Sequence, residues 1–371
     1  MIDRRLLQHF DWVLLGITLV LGGIGILILY SAATPNAGIA GGVKGLVYLK
    51  QSYWLAMGTI VMILSLLFSY RWLNRLALPI YWLSIALLVA VLFVGKEVSG
   101  SQRWLALGPL SFQPSELVKI SVAIVLARYF CDRASDEGLT LKDLWRPLIW
   151  TLVPFALIAR QPDLGTSLIV LLIAGTVTLF VKIERGSLLC LAASGIVGSM
   201  VAWFFLKEYQ RQRILAFLDP QGDPLGAGYH VSQSKIAVGS GLLAGKGFLK
   251  GTQNALSFLP EQHTDFIFSV LAEEWGFLGS ALLVMLYMLM VIWGLTIAVR
   301  SKEPFGTILA VGITSMIFWQ AIVNVGMAVG LLPVVGVTLP LISYGGSSLV
   351  ATMLGLGVLM NISMRRFLFK E

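Results

Sequence analysis

Stretches of 18 or more mostly apolar residues recur along the whole 371-residue chain. A helix of about 20 such residues crosses a hydrocarbon core about 30 Å thick and satisfies its backbone polar groups internally. Only 12% of the residues are charged, whereas an ordinary soluble domain has about 25%. Because so few polar groups cannot cover a soluble globule, the composition excludes a soluble enzyme and a nucleic-acid-binding protein, in spite of the net charge of +8.

We predict an all-α polytopic membrane protein in which residues 1–371 form a single membrane domain with about ten transmembrane helices. A large loop, approximately residues 207–265, separates the seventh span from the eighth. The predicted spans cover residues 12–31, 52–69, 76–94, 115–130, 147–160, 164–181, 187–206, 266–299, 305–330 and 342–364.

Lysine and arginine residues predict the orientation of these spans, because short basic loops stay in the cytoplasm. Arg4 and Arg5 precede the first span, and Arg365 and Arg366 follow the last. With the N-terminus inside, the short cytoplasmic loops carry most of the other basic residues as well. We therefore expect both termini in the cytoplasm, and the 207–265 loop outside it.

Charged and amide side chains cluster at the start of the fourth span. Arg103 and Gln113 precede this span, and Glu116 and Lys119 lie three residues apart on one helix face. Ionisable residues within a span are costly and are therefore candidates for function. One interpretation is a polar cavity in which Lys119 and Arg103 bind an anionic ligand. The alternative is a buried ion pair of Glu116 and Lys119 that only orders the bundle.

A second cluster lies at the proline turn between the fifth and sixth spans. Arg160 ends the fifth span, and Asp163 begins the sixth helix, with Thr166 three residues later. Asp163 is a candidate for the functional site, but a capping role would account for it equally well. Arg160 is at a membrane edge, where anchoring to lipid headgroups is an alternative role.

The predicted outer loop contributes three more cations, Arg211, Arg213 and Lys246. Lys246 lies in a glycine-rich stretch that superficially resembles a phosphate-binding loop. The match fails, because the glycine spacing is one residue too short and Gly247 replaces the Ser or Thr that would bind Mg²⁺. The remaining interpretation is a close backbone approach to a ligand, with positive charge from Lys246.

The most informative cluster is at the start of the eighth span, where Glu261, His263, Thr264 and Asp265 follow a proline turn. Apolar residues follow Asp265 directly, so its carboxylate lies where water meets hydrocarbon, and lost solvation raises its pKa. A carboxylate of raised pKa suits a general base for a hydroxyl. Capping of the helix by Thr264 or Asp265 is the alternative. A divalent cation, Mg²⁺ or Mn²⁺, with Asp265 or Glu261 as a ligand also remains open.

A proline- and glycine-rich stretch, residues 331–348, follows the ninth span. We predict a broken or re-entrant segment that lines a cavity, because irregular backbone is excluded from contact with lipid. Ser347 lies in this stretch, and Asn324 lies in the span before it. Both are candidates for the site, although Asn324 could equally serve only to join helices.

These motifs together resemble the SEDS family (shape, elongation, division and sporulation), and most closely its RodA elongation branch. The resemblance covers essentially the whole chain, and the short termini favour this branch over the division branch. One departure is Val335, which precedes Gly336 where family members often have threonine. The motifs that carry the resemblance are QPSE at 113–116 with Lys119, QPDLGT at 161–166, PEQHTDFIF at 260–268, GLLP at 330–333 and SYGGSS at 343–348.

The resemblance implies a peptidoglycan glycosyltransferase that polymerises lipid II at the outer face of the bacterial cytoplasmic (inner) membrane during cell elongation. Asp265 matches the essential aspartate of the family, and Glu116 and Lys119 match its ion pair. Implied partners are a class B penicillin-binding protein, which is a transpeptidase, and other elongation-complex proteins, with membrane lipids around the chain.

These implications give a mechanism in which Asp265 takes the proton of the acceptor 4-hydroxyl. The hydroxyl oxygen attacks the donor's anomeric carbon with inversion, and undecaprenyl diphosphate leaves. Its charge needs cations, for which Lys119, Arg103, Arg211, Arg213 and Lys246 are candidates.

Two other functional classes are compatible with the sequence. A lipid II flippase would use the same polar residues for transport, but paired broken helices in repeated halves are absent from the sequence pattern. A non-enzymatic scaffold of the cell-wall synthesis complex would leave the context of Asp265 unexplained.

Overall fold

The computed structural model describes residues 9–33, 46–98, 101–108, 110–133, 138–219, 226–256, 258 and 262–366. The described helices are α1 (Trp12–Ala33), α2 (Val47–Leu67), α3 (Arg71–Arg75), α4 (Ala77–Val94), α5 (Pro114–Cys131), α6 (Leu141–Arg160), α7 (Leu164–Phe180), α8 (Arg185–Phe205), α9 (Glu208–Leu218), α10 (Ala227–Ser240), α11 (Thr252–Ala255), α12 (Ile267–Arg300), α13 (Pro304–Ala328) and α14 (Gly346–Arg365). The described strands are β1 (Lys96–Val98), β2 (Ser101–Leu107) and β3 (Leu110–Phe112).

Seven of the described helices are long and apolar enough to cross a membrane: α1, α2, α4, α8, α12, α13 and α14. Helix α7 is equally apolar but has 17 residues. The prediction of a polytopic helical membrane protein is confirmed. The count of about ten spans stays a prediction. Helices α5 and α6 carry more charged residues than a helix that qualifies as a span by length and apolar composition.

The centre of the bundle is formed by α13 and α14, most of whose residues are buried. Helix α13 packs against α5, α7 and α12, and α14 packs against α2. Small residues allow these close approaches. A Cβ added to Gly312 of α13 would lie 2.9 Å from the Cβ of Ala123 in α5, and one added to Gly357 of α14 would lie 2.8 Å from the Met62 carbonyl oxygen in α2.

Helix α8 differs from the central helices, because Ser187 is its only buried residue. Most of its side chains are apolar, apart from Arg185 and three serines. Because apolar side chains so exposed would be unfavourable in water, lipid is the environment that they fit. Helix α8 therefore stands at the edge of the bundle.

A small antiparallel sheet in the order β1-β2-β3 lies between α4 and α5. The all-α prediction included no strands between the spans 76–94 and 115–130. Leu105 pairs with Phe112 across β2 and β3, and Trp104 pairs with Lys96 across β1 and β2. The sheet places Arg103 on β2 and Gln113 directly after β3, at the start of α5.

The predicted 207–265 loop contains helices α9, α10 and α11. Helix α10 packs against α12 and α13, and α9 packs against α10. This arrangement is compatible with the predicted large segment between the spans, but helices within that segment were not predicted. Helix α10 is short and only weakly amphipathic, so the apolar pattern of its sequence did not predict a helix.

Helix α12 is broken at Gly276, which has φ 67° and ψ −161°. The break frees backbone groups of the helix, and the segment 241–251 satisfies them. Backbone amides of the segment donate to carbonyls of α12, and amides of α12 donate back to the segment. The four bonds are Lys246 N to Glu273 O (3.0 Å), Gly247 N to Glu274 O (2.9 Å), Phe277 N to Leu242 O (2.8 Å) and Leu278 N to Leu243 O (3.1 Å).

Candidate active site

Asp265 lies in a turn at residues 262–266, immediately before α12. The N-cap residue of α12 is Phe266, whose side chain forms no capping hydrogen bond. Capping by Thr264 or Asp265, the alternative role considered for these residues, stays a prediction. The Asp265 side chain is half-buried, so one part of it stays accessible while its surroundings hold it in place.

Asn324 of α13 forms hydrogen bonds to the backbone of Asp265 and to that of Val337. Its Nδ2 donates to the Asp265 carbonyl oxygen at 2.9 Å and to the Val337 carbonyl oxygen at 2.7 Å. The Asn324 side chain is completely buried. Asn324 therefore joins the turn that carries Asp265 to the segment after α13.

The segment after α13, residues 329–345, has irregular backbone, as predicted. Gly336 lies in its middle with φ 76°, and a Cβ added there would lie 3.4 Å from Oδ2 of Asp265. The Cα of Gly336 therefore faces the carboxylate of Asp265. Because only glycine adopts this φ without strain, the backbone conformation accounts for the residue.

Further hydrogen bonds fix the same segment to the turn before α12. Ser343 Oγ donates to the Thr264 carbonyl oxygen at 2.6 Å, and the Tyr344 amide donates to the His263 carbonyl oxygen at 2.9 Å. Gln51 Nε2 of α2 donates to the Ser343 carbonyl oxygen at 3.0 Å. The predicted residues His263 and Thr264 thus contribute backbone carbonyls to the frame around Asp265.

Asp163 caps α7, since its Oδ1 accepts from the Thr166 amide at 3.1 Å. The capping role considered for Asp163 is therefore confirmed. Its Oδ2 accepts from Gln113 Nε2 at 3.1 Å, and Nη1 of Arg103 lies 4.0 Å from Oδ1. Arg103 also donates to the carbonyl oxygens of Gln161 and Pro162. Asp163 is buried with these partners around it.

The Asp163 cluster adjoins the segment that faces Asp265. A Cβ added to Gly165 in α7 would lie 2.8 Å from Cγ2 of Val337 and 3.2 Å from the Gly336 carbonyl oxygen. The Gln113 amide donates to Ser347 Oγ at 3.1 Å, which ties the start of α5 to α14. The segment that faces Asp265 is thus supported on its opposite side by Arg103, Gln113, Asp163 and Ser347.

Glu116 and Lys119 form an ion pair inside α5, with 2.8 Å between Oε2 and Nζ. Lys119 is 2% exposed and Glu116 is 5% exposed. A buried charge without its partner would be strongly destabilising, so each residue stabilises the charge of the other. The geometry shown is that of the ordering pair considered above.

Three of the predicted cations contact other parts of the chain. Arg211 donates to the carbonyl oxygens of Trp203 and Phe204 at the end of α8, at 3.3 and 3.1 Å. Arg213 lies over the Tyr209 ring, with its Cζ 6.0 Å from the ring centroid. These contacts account for both side chains without a ligand.

Lys246 is the third of these cations, and its Nζ donates to Oε1 of Glu273 at 2.7 Å and to Oγ1 of Thr252 at 2.8 Å. Glu273 is fully buried in α12. Lys246 therefore compensates a buried carboxylate at the break in α12.

The predicted cation ligand Glu261 lies outside the described residues. Within the described part of the chain, no group of three or more His, Cys, Asp and Glu side chains is placed to hold a metal ion. Asp265 belongs to no such group within the described residues.

The sequence analysis missed Gln51 and Ser343 as parts of the frame around Asp265. Gln51 is 1% exposed within the apolar helix α2. A polar side chain buried in a span needs a partner there, and that signal was present in the sequence. The role of Ser343 depends on the folded path of the segment, for which the sequence gives no comparable signal.

Comparisons with known proteins agree with this architecture. The family model for the FtsW, RodA and SpoVE cell cycle proteins matches residues 11–367. The peptidoglycan glycosyltransferase MrdB of Escherichia coli K12 is 43% identical over 360 residues, which are 96% of this chain and 94% of that protein. The peptidoglycan glycosyltransferase RodA of Treponema pallidum is 33% identical, covering 98% of this chain and 99% of that protein.

Two solved structures share the fold. One belongs to a peptidoglycan synthase complex that coordinates polymerization and crosslinking; its chain has a TM-score of 0.81 and 34% identity, covering 96% of this chain and 98% of that chain. The other is the rod shape determining protein RodA of Thermus thermophilus, with a TM-score of 0.71, 31% identity and the same coverage. With a family match over nearly its full length and these relatives, the chain belongs to the SEDS family of FtsW, RodA and SpoVE proteins.

Proposed function

We propose that this protein is a peptidoglycan glycosyltransferase that polymerises lipid II, with Asp265 as its general base. Relatives that cover nearly the whole chain carry the name of this activity. The observation that carries the assignment is the placement of Asp265: its carboxylate faces Gly336, its side chain is half-buried, and its backbone is fixed by Asn324.

In the proposed reaction, an oxygen of the Asp265 carboxylate accepts the proton of the acceptor sugar's 4-hydroxyl. The hydroxyl oxygen forms a bond to the anomeric carbon of the donor as the bond from that carbon to the diphosphate breaks. The electron pair of the broken bond leaves with the undecaprenyl diphosphate, and the anomeric centre inverts. A single displacement needs one principal base, which agrees with the single aspartate at the turn before α12.

The frame around Asp265 supports this step by positioning. General-base catalysis requires the carboxylate to lie within hydrogen-bond reach of the hydroxyl. Two hydrogen bonds from Asn324 and those of Ser343 and Tyr344 hold the turn and the facing segment at a fixed separation. Arg103 is the predicted cation that lies nearest this frame by its contacts, through Pro162 and Asp163.

The experiment is polymerisation of lipid II by the purified full chain in detergent, comparing the wild type with Asp265→Asn and Asp265→Ala. We expect glycan strands from the wild type and a loss of at least about 100-fold in both variants, the lower range of general-base effects. A native rate in both variants would exclude Asp265 as the base. Lipid II flipping without polymerisation would favour the transporter instead.

We further propose that the protein lies in the bacterial cytoplasmic membrane with both termini in the cytoplasm and works with a class B penicillin-binding protein. The basic residues at both chain ends support the orientation. The similarity to a chain of a synthase complex that couples polymerization to crosslinking supports the transpeptidase partner. Polymerisation measured with and without the co-purified transpeptidase tests the partnership, and a rate independent of it would contradict a functional complex.

A further inference from the structure

An elongated apolar cavity of about 750 Å³ lies between α10 and α12. Val238 and Gly239 line its α10 side, and its lining on α12 extends from Phe268 to Met288. The lining residues of α12 lie on both sides of its break at Gly276, and at a rise of about 1.5 Å per residue they follow about 30 Å of the helix path. This length and lining suit a long hydrocarbon chain better than a compact ligand.

Lys235 lies beside this cavity, although it is not one of the residues that line it. It shares a face of α10 with Val238 and Gly239, three and four residues later. A Cβ added to Gly330 would lie 2.8 Å from Nζ of Lys235, and the preceding residue, Val329, lines the cavity. Lys235 is exposed and forms no ion pair with a carboxylate of the described residues. Its ammonium group is therefore available to an anion beside the cavity.

The cavity also adjoins the candidate active site. Phe268, which lines the cavity, is three residues after Asp265 in the chain. Gly330 begins the segment that leads to Gly336, which faces the Asp265 carboxylate. A lipid whose chain filled the cavity would thus have its headgroup on the side where Lys235 and the turn that carries Asp265 lie.

We propose that this cavity binds the polyprenyl chain of the lipid-linked glycan substrate and that Lys235 binds the diphosphate of that substrate. The proposal rests on the proposed function, which requires such a lipid. An apolar channel with a cation beside it is complementary to an amphiphile with an anionic head. A diphosphate carries net negative charge, whereas a zwitterionic headgroup carries none. Charge pairing with the Lys235 ammonium group therefore favours the diphosphate lipid over a zwitterionic bilayer lipid.

Gly239 offers a direct way to fill the cavity. A Cβ added there meets no atom within 4 Å, so Gly239→Leu leaves the backbone unstrained and extends a side chain into the lined space. Gly175→Leu in α7 is the matched control, because Gly175 is also an exposed helical glycine with open space around an added Cβ. Lys235→Gln removes the cation, and Lys235→Arg keeps it.

The experiment measures binding of undecaprenyl phosphate to the full chain in detergent by native mass spectrometry, with phosphatidylglycerol as a competitor. We expect Gly239→Leu and Lys235→Gln each to weaken binding about tenfold, in line with the loss of one charged hydrogen bond or of the apolar contact. Gly175→Leu and Lys235→Arg should bind as the wild type does. Equal binding by all variants would overturn the proposal, as would equally effective displacement by phosphatidylglycerol.

The outcome is separable from that of the proposed function. Asp265→Asn should bind undecaprenyl phosphate normally while it loses polymerisation. If the wild type does not polymerise lipid II but the expected binding pattern holds, the proposed function fails and the lipid site stands. If polymerisation is normal in Gly239→Leu and Lys235→Gln and their binding is unchanged, the lipid site fails and the proposed function stands.

Discussion

Asp163 and Asp265 each lie at the start of a helix and follow a proline in the sequence, but their carboxylates have different surroundings. Asp163 is buried, caps α7 and accepts from Gln113, with Arg103 nearby. Asp265 is half-buried, precedes the N-cap residue of α12 and faces the Cα of Gly336. The Asp163 carboxylate stabilises the backbone at the start of α7, whereas the backbone of Asp265 is itself held in place by other residues. Similar sequence contexts therefore serve different roles.

The largest expected difference between the two aspartates is in the rate of polymerisation. Asp265→Asn should lower polymerisation at least about 100-fold, because an amide cannot accept the hydroxyl proton. Its thermal unfolding in detergent should change little, since the substitution keeps the shape of the side chain. A large drop in the unfolding temperature would show that Asp265, like Asp163, serves mainly to hold the fold.

Asn324→Leu should lower polymerisation about tenfold, because a displacement of the base by a fraction of an ångström weakens catalysis. It leaves the carbonyls of Asp265 and Val337 without a donor, which costs about 1–3 kcal/mol for a buried group. The readout is kcat at saturating lipid II, where positioning acts, compared with KM. Asn324→Gln, which keeps the donor, should recover part of the rate.

Gln320→Leu is the control for Asn324, one turn earlier on α13. Gln320 is also a buried amide, and its Oε1 accepts no hydrogen bond within the described part of the chain. Its replacement should leave polymerisation near the wild-type rate. Equal loss of activity in both variants would assign the effect to disturbed packing of α13 rather than to the position of Asp265.

Asp163→Asn should act mainly on stability. Removal of the charge weakens the capping bond to the Thr166 amide and the attraction to Arg103, at a cost of about 1–2 kcal/mol. Activity should fall only a few-fold, through the support that α7 gives to the facing segment. Thermal unfolding and polymerisation measured on one preparation test the distinction, and a loss of activity as large as that of Asp265→Asn would remove the contrast between the two aspartates.

The smallest of these effects is expected for Gly336→Ala. A non-glycine residue at φ 76° costs about 1–2 kcal/mol. The added Cβ would lie 3.4 Å from Oδ2 of Asp265, which is ordinary contact and blocks no more than one approach to the carboxylate. We expect a modest fall in the unfolding temperature and a few-fold loss of rate. An unchanged rate at reduced stability would limit Gly336 to a backbone role.

Much of this architecture could be predicted from the sequence, because long apolar runs allow few other folds. The apolar span pattern gave the helical membrane class, and the position of Asp265 between polar and apolar residues marked it for attention. The sequence did not distinguish Asp163 from Asp265, since capping and catalysis use the same residue type in the same local pattern. That distinction depends on Arg103 and Gln113, which reach Asp163 from a sheet 50 or more residues away in the chain.

The same limit of prediction from sequence applies to three of the five cations considered as binding groups for the diphosphate. Charge and location in the outer segment made Arg211, Arg213 and Lys246 candidates, but their contacts are with the end of α8, a tyrosine ring and the buried Glu273. Lys235 was not selected, because only the packing of α10 against α12 shows that it lies beside an apolar cavity. Long-range packing, which a single sequence does not specify, decides which cation is free to bind a ligand.

The break at Gly276 has a consequence for how α12 and the segment before it can move. Four backbone hydrogen bonds join them, and two run in each direction. Separation of the two would leave up to eight polar groups without partners, at about 1–3 kcal/mol for each one that stays buried. The segment and the broken helix should therefore exchange their amide hydrogens as one cooperative unit, and a one-residue deletion between Leu243 and Lys246 should shift the two pairs of bonds out of register with each other.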